Sequence, residues 1–226
     1  MSALLPCVEV DPPVRPRCAV IWLHGLGADG HDFEPIVPEL GLPAELGVRF
    51  VFPHAPIIPV TLNMGMPMRA WYDIRQVDLR REHDAEGILR AAGQVRALIA
   101  RETESGIPAS RIVLAGFSQG GAIALFTGLR HPETLAGIVA LSTYLVLEES
   151  LDAEAAPANR ATPIFQAHGT ADPMVAFERG AACRDALRAR GYTVEWHDYP
   201  MPHAVHPREI ADIGDFLRRR LATPGE

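Results

Sequence analysis

The chain has 226 residues, 48% of them hydrophobic, with 21 basic and 28 acidic side chains and a formal net charge of −7. This composition excludes a disordered, collagen-like or disulfide-scaffold protein, and the negative charge argues against nucleic acid or an anionic membrane as the main partner. Every basic residue is arginine, which excludes chemistry that depends on a lysine amine, such as a Schiff base or a Walker-type phosphate loop.

The three cysteines favour a reducing compartment. They are Cys7, Cys18 and Cys183, an odd number with no C-x-x-C pair, so a disulfide framework or a structural zinc site is not expected. The N-terminal segment lacks the basic and apolar regions of a signal peptide. The longest apolar stretch, residues 135–147, is too short to span a bilayer. We therefore expect a cytoplasmic protein with no stable membrane insertion, no cofactor and no metal.

Short apolar runs alternate with longer runs of helical spacing along the chain. Strands are predicted at residues 18–23, 49–52, 112–115, 137–141, 164–167 and 193–199. Helices are predicted at residues 82–102, 119–129, 176–190 and 207–221. Apolar strands separated by helices are typical of a mostly parallel sheet with helices on both faces, and functional loops follow the carboxyl ends of such strands. We expect a single α/β domain over residues 1–226.

Two segments interrupt the alternation. Residues 144–162 form a long acidic connection, and residues 55–70 are apolar but contain three prolines and no clean period. An apolar segment of this kind either packs onto the core or forms a lid or wall of an apolar substrate pocket, because loops normally keep apolar groups out of water. An exposed apolar edge on it would also suit a homodimer.

A G-x-S-x-G pattern lies at residues 116–120, between a predicted strand and a predicted helix. In a nucleophile elbow the serine stands on a tight strand-to-helix turn, and small residues two positions before and after it avoid steric clashes. The N-terminus of the following helix favours negative charge beside the serine. The pattern predicts Ser118 as a nucleophile, the alternative being an ordinary glycine-rich turn.

A serine nucleophile needs a base and an orienting acid, which in elbow hydrolases follow it in the order acid, then histidine. Asp172 and His203 each lie just past the end of a predicted strand, and they are the predicted acid and base. His206 is a weaker alternative for the base, near the start of the last helix. His168 precedes the acid and is expected to be a buried, hydrogen-bonded histidine.

The glycines of residues 24–30 spell G-x-G-x-x-G, so a dinucleotide site is an alternative. Pro35 and Pro38 oppose it, because they break the helix that such a site requires, and no acidic residue ends the next predicted strand. Elbow hydrolases instead form an oxyanion hole from the N–H after the nucleophile and one N–H of an earlier loop. These donors would belong to Gln119 and Leu26.

Several motifs resemble one family when they are taken together. They are HGLGADG-x-DF at residues 24–33, FPHAP at 52–56, MRAWYDI at 68–74, GFSQGG at 116–121, HGTADPMV at 168–175 and M-x-H followed by EI at 201–210. The sequence resembles the bacterial carboxylesterase, phospholipase and acyl-protein thioesterase family of α/β-hydrolases. The resemblance implies the same triad, Ser118, Asp172 and His203, and the same oxyanion donors, Leu26 and Gln119.

An acyl groove is the remaining expectation. The substrate-binding residues predicted for it are Leu62, Met66, Trp71, Met174 and Val175. Core packing is the alternative for Trp71. The predicted function is a serine hydrolase that cleaves small-molecule carboxylic esters with short to medium acyl chains through an acyl-serine intermediate. The alternative is an acyl-protein thioesterase or a lysophospholipase that uses the same triad.

Overall fold

The computed structural model describes residues 4–75 and 83–222. The strands in this part are β1 (Cys7–Val10), β2 (Cys18–Leu23), β3 (Val48–Pro53), β4 (Ile57–Val60), β5 (Met66–Arg69), β6 (Ile112–Phe117), β7 (Gly137–Leu141), β8 (Ile164–Gly169) and β9 (Val194–Tyr199). Seven of them form one sheet in the order β1-β3-β2-β6-β7-β8-β9. Only the β1–β3 pair in this sheet is antiparallel. The strands β4 and β5 form a separate antiparallel hairpin.

The α-helices are α1 (Ala85–Glu104), α2 (Gln119–Leu129), α3 (Leu151–Glu154), α4 (Phe177–Ala189) and α5 (Pro207–Leu221). Short 3₁₀ helices lie at Glu34–Leu40, Ala44–Leu46, Thr61–Asn63, Ala109–Arg111, Glu148–Ser150 and Pro157–Asn159. In the described part of the chain, no helix is both long and apolar enough to cross a membrane.

The two faces of the sheet bury separate hydrophobic layers. Alternate residues of a strand point to opposite faces, and in β2 Ile21 joins a cluster with Val95 and Ile99 of α1. Its neighbour Trp22 joins the other cluster, which includes Phe216 of α5. All six residues of β2 are buried, as expected for a parallel strand covered on both faces. The predicted α/β architecture is confirmed.

Most predicted elements lie where the pattern places them, and two strand regions are missed. The structure has β2, β7, α2 and α5 with the predicted bounds. The predicted helix at 82–102 begins at residue 85, because the Asp84 side chain caps it by accepting the Gly87 N–H at 3.1 Å; residue 82 lies outside the described residues. The four-residue strand β1 is not predicted, and the segment at 55–70 contains the hairpin of β4 and β5 instead of an irregular loop.

Candidate active site

The site lies at the edge of the sheet where the parallel strands β2, β6, β8 and β9 end. Because these strands run in one direction, the loops that follow them come together at that edge. Ser118 follows β6 directly, Asp172 follows β8, and His203 follows β9. The fold therefore brings together three side chains that are 31 to 85 residues apart in the sequence, and the loop at Leu26, which follows β2, lies beside them.

Ser118 occupies a strained turn between β6 and α2. Its φ is 54° and its ψ is −119°, a conformation that non-glycine residues rarely adopt and that is concentrated at functional sites. The glycines on either side make the turn possible. A Cβ at Gly116 would collide with the backbone of Gly120, and a Cβ at Gly120 would collide with the carbonyl oxygens of Leu23 and His24. The elbow prediction agrees with this geometry.

Asp172 and His203 form a short hydrogen bond. His203 Nδ1 lies 2.6 Å from Asp172 Oδ2, and since an ionised carboxylate can only accept, Nδ1 carries the proton and Nε2 is left as the basic nitrogen. The other oxygen, Asp172 Oδ1, accepts the backbone N–H groups of Met174 at 2.8 Å and Val175 at 2.9 Å. The carboxylate is thereby fixed on both sides and has its side chain fully buried.

The alternative histidines have structural positions. His206 is the N-cap of α5. Its Nδ1 accepts the Arg208 N–H at 3.1 Å, and the His206 backbone N–H donates to Glu209 Oε2 at 3.1 Å. His168 is fully buried, donates from Nε2 to the Val175 carbonyl at 2.8 Å, and has Nε2 3.5 Å from Asp172 Oδ2. Burial lowers the pKa of the His168 imidazole below its usual value. The side chain supports the turn that carries Asp172, and the expectation of a buried, hydrogen-bonded histidine agrees with this position.

The loop after β2 lies beside the elbow, and both Leu26 and Gln119 line the same groove as Ser118. The Gln119 N–H is the first of α2, where no intrahelical acceptor exists, so it is available to a ligand. The loop continues into the 3₁₀ helix at Glu34–Leu40, and not into an α-helix. This geometry is wrong for the dinucleotide alternative, which needs a helix directly after the glycines.

Trp71 holds the loop after β2 in place through hydrogen bonds. Its indole Nε1 donates to the His24 carbonyl at 2.9 Å, and its backbone N–H donates to Gln119 Oε1 at 2.9 Å. His24 is buried and donates from Nδ1 to the Gly25 carbonyl at 2.7 Å, so its Nε2 accepts the Ala55 N–H at 3.0 Å. Burial lowers the pKa of His24 to about 4, and the ring is neutral at pH 7.

The groove has a volume of about 450 Å³, within the range of small-molecule sites. Its lining includes Ser118, His203, Phe117, Ile74, Tyr144, Asp32, Leu62, Met174 and Val175. Of the predicted substrate-binding residues, Leu62, Met174 and Val175 lie in this lining. Met66 lies on the hairpin with 56% of its surface exposed, and Trp71 is 1% exposed in the core; neither lines the groove.

Several lining residues are missing from the sequence prediction, among them Ile74, Tyr144 and Asp32. Ile74 ends the MRAWYDI motif, Tyr144 begins the long acidic connection, and Asp32 lies within the motif at residues 24–33. Phe117 also gains a role that its place in the elbow pattern does not reveal. Its ring lies 4.6 Å from the His203 ring, centroid to centroid, and restricts how that imidazole can turn.

The fold and the architecture of this edge define the class: the protein is an α/β hydrolase. The phospholipase/carboxylesterase family matches residues 6–221. Acyl-protein thioesterase 1 of Neurospora crassa is 46% identical to this chain, covering 96% of it and 92% of that protein. Acyl-protein thioesterase 1 of Mycosarcoma maydis is 42% identical, covering 91% and 92% respectively. The crystal structure of Arabidopsis thaliana SOBER1 is 34% identical with a TM-score of 0.86, covering 91% of this chain and all (100%) of that one.

The chain belongs to the phospholipase/carboxylesterase family of α/β hydrolases. The resemblance drawn from the motifs is thereby confirmed at the level of the family. Its restriction to bacterial proteins is not supported, since the relatives at 46% and 42% identity come from fungi.

Proposed function

We propose that the protein hydrolyses acyl thioesters through an acyl-serine intermediate, with carboxylic esters as a secondary substrate class. The observation that carries the proposal is the 2.6 Å bond between His203 and Asp172 beside a groove that both Ser118 and His203 line. Relatives named acyl-protein thioesterase 1 favour the thioester over the carboxylic ester that the sequence pattern puts first. The apolar lining of the groove suits an acyl chain.

In the proposed acylation step, His203 Nε2 takes the hydroxyl proton of Ser118 while Oγ attacks the acyl carbonyl. The carbonyl oxygen becomes an oxyanion that accepts the N–H groups of Leu26 and Gln119. Asp172 holds the imidazole in the required tautomer and stabilises its cation. The tetrahedral intermediate then collapses, the C–S or C–O bond breaks, and His203 returns the proton to the departing thiol or alcohol.

Deacylation repeats these steps with water as the nucleophile. His203 takes a proton from water, the hydroxide oxygen attacks the acyl-Ser118 carbonyl, and the same N–H donors stabilise the second oxyanion. Collapse breaks the bond between the acyl carbon and Oγ, and His203 returns the proton to Ser118. The products are a carboxylic acid and the free enzyme.

The test compares one octanoyl thioester with the oxygen ester of the same skeleton, for the wild type and Ser118→Ala. We expect the wild type to hydrolyse both with a higher kcat/KM for the thioester, and Ser118→Ala to lose activity by about 10⁴-fold or more. Near-normal turnover by Ser118→Ala would overturn the mechanism. A clear preference for the oxygen ester with an optimum at short to medium chains would restore the carboxylesterase alternative.

Other expectations stay predictions. Lysophospholipid hydrolysis by the same residues is tested by turnover of lysophosphatidylcholine. A homodimer through the exposed apolar residues of the hairpin, among them Ile57 and Met64, is tested by sedimentation. A cytoplasmic location is tested by cell fractionation.

A further inference from the structure

Asp32 is the one acidic side chain among the described residues that line the groove. It follows the loop that carries Leu26, and its backbone N–H donates to the Asp29 carbonyl at 3.2 Å, which closes a turn. Asp32 lines the groove and is exposed to solvent.

The Asp32 carboxylate makes no hydrogen bond or ion pair with any residue in the described part of the chain. Asp29 differs, since its Oδ1 accepts the His31 N–H at 2.8 Å. Partial burial against the groove, with the negative charge of Asp29 nearby, raises the pKa of Asp32 above its usual value. Because solvent reaches Asp32 and no residue of the described part of the chain pairs with it, a cationic group of a bound substrate could pair with this carboxylate, with the modest gain of a solvent-accessible ion pair.

The rest of the groove decides which part of a substrate meets this carboxylate. Leu62, Ile74, Met174 and Val175 give an apolar wall, and an acyl chain gains free energy by burying its surface there. The same chain would gain nothing from contact with a carboxylate. The polar arm of the substrate, which departs with the sulfur or oxygen, is therefore the part expected at Asp32.

We propose that Asp32 is a specificity-determining residue that favours substrates whose thiol or alcohol arm carries a positive charge. This inference rests on the proposed function and adds the charge of the leaving group to it. The enzyme discriminates against anionic leaving groups by the same interaction, because specificity is a difference between transition-state affinities.

The experiment uses three octanoyl thioesters with one acyl chain: the thiocholine ester, its uncharged 3,3-dimethylbutyl isostere and the anionic ester of 2-mercaptoethanesulfonate. For the wild type we expect kcat/KM to fall in that order. Asp32→Asn should reduce the preference for the cationic thioester over its isostere by about 1.5- to fivefold, the range for a solvent-accessible ion pair. Asp32→Arg should raise the relative kcat/KM of the anionic thioester.

The matched control is Glu104→Gln, which also replaces a carboxylate by an amide. Glu104 is the last residue of α1, which leads back to the start of β6 at the opposite edge of the sheet, and it is exposed. It should leave the ratio between cationic and uncharged thioesters as in the wild type. An equal change in both variants would overturn the inference, because it would indicate an effect of net charge alone.

Two further measurements keep the inference separate from folding and from the proposed function. In the unmodified protein, about 1 M NaCl reduces the Debye length to about 3 Å, so the preference for the cationic thioester should largely disappear. A preference that persists in high salt, or is unchanged in Asp32→Asn, would overturn the role of Asp32. Ser118→Ala that still hydrolyses all three thioesters would overturn the proposed function itself.

Discussion

The side chain of Gln119 connects the segment at Trp71 to the turn that carries Ser118. Its Oε1 accepts the Trp71 N–H at 2.9 Å and its Nε2 donates to the Tyr72 carbonyl at 2.8 Å. Trp71 in turn donates from its indole to the His24 carbonyl at 2.9 Å. Gln119 thus connects the turn at Ser118, through Trp71, to the loop that carries Leu26. The backbone N–H of Gln119 takes no part in these contacts and is the proposed oxyanion donor.

This coupling predicts the effect of Gln119→Ala. The variant keeps the backbone N–H of residue 119 but leaves the Trp71 N–H and the Tyr72 carbonyl without partners. An unsatisfied buried group costs about 1–3 kcal/mol, so we expect the free energy of unfolding to fall by about 2–4 kcal/mol, as measured by urea denaturation. We also expect kcat to fall, because the loop beside Ser118 loses support.

Gln94→Ala is the control for that variant. Gln94 lies in α1, and its Oε1 has no hydrogen-bond partner within the described residues. The same truncation there should change stability by less than about 1 kcal/mol and leave kcat unaffected. Equal losses in the two variants would contradict the tethering role of Gln119.

The groove geometry separates two residues of the hairpin region. Leu62→Ala removes part of the apolar wall and enlarges the groove, so it should move the chain-length optimum toward longer acyl groups, by a few-fold in the ratio of kcat/KM values, since one methylene is worth about 1 kcal/mol. Met66→Ala alters a residue outside the lining and should leave the optimum unchanged. Turnover of p-nitrophenyl esters from acetyl to dodecanoyl measures both. A shift in Met66→Ala alone would place the acyl groove elsewhere.

Replacing glycine by alanine should have opposite effects on stability at Gly120 and Gly93. A Cβ at Gly120 collides with the Leu23 and His24 carbonyls, whereas the nearest atom to a Cβ at Gly93 is Arg96 Nη2 at 3.9 Å. Gly120→Ala should cost about 3 kcal/mol or more, because the obstacle is backbone. Gly93→Ala lies inside α1 and should stabilise by about 0.5–1 kcal/mol. Thermal unfolding of both variants measures these effects. A Gly120→Ala variant as stable as the wild type would contradict the close approach of the Leu23 and His24 carbonyls to Gly120.

The buried carboxyl of Glu209 should make the free energy of unfolding depend on pH. Its side chain is fully buried: Oε2 accepts the His206 N–H at 3.1 Å, and Oε1 has no partner in the described residues. Burial raises the pKa of Glu209 from 4.5 to about 8, with a smaller contribution from the charge of Asp212. Between these pH values the folded protein holds a proton that the unfolded chain has released. The free energy of unfolding should therefore decrease as pH rises through this interval, by at most about 1.4 kcal/mol per pH unit from this group.

Glu209→Gln imitates the protonated carboxyl at every pH. Its amide oxygen can still accept the His206 N–H, so the variant should fold. Guanidinium denaturation at a series of pH values from 5 to 8 should give a flatter profile for the variant than for the wild type. Parallel profiles would show that the carboxyl is ionised in the folded protein.

The sequence predicts the elements whose signal is local. The strand at Cys18–Leu23 is an unbroken apolar run. Gly116 and Gly120 have to be glycine because a Cβ at either position would lie within 2.6 Å of backbone atoms. The strands β4 and β5 escape prediction because each has four residues and their prolines hide the alternation, with Pro59 opposite Pro67. Both strands of a two-stranded hairpin are edge strands, and edge strands tolerate proline because no further strand requires the N–H that proline lacks.

The candidate site is predictable to the same extent. Its predicted nucleophile, acid and base each follow a strand, so chain order and the topology of a parallel sheet suffice to group them. The position of Trp71 is not predictable, because its partners Gln119 and His24 lie 48 and 47 residues away. The position of Asp32 in the groove lining is not predictable either, because the sequence pattern of a carboxylate in a glycine-rich loop indicates an exposed turn residue.

Active-site labelling tests whether Ser118 is the nucleophile. The wild type is treated with a fluorophosphonate, digested and analysed by mass spectrometry, beside Ser118→Ala and His203→Ala. In the proposed mechanism His203 activates the Ser118 hydroxyl, so we expect a single phosphonyl adduct on the peptide containing Ser118, no adduct in Ser118→Ala, and labelling slowed by orders of magnitude in His203→Ala. Labelling of another residue, or equally fast labelling without His203, would contradict this mechanism.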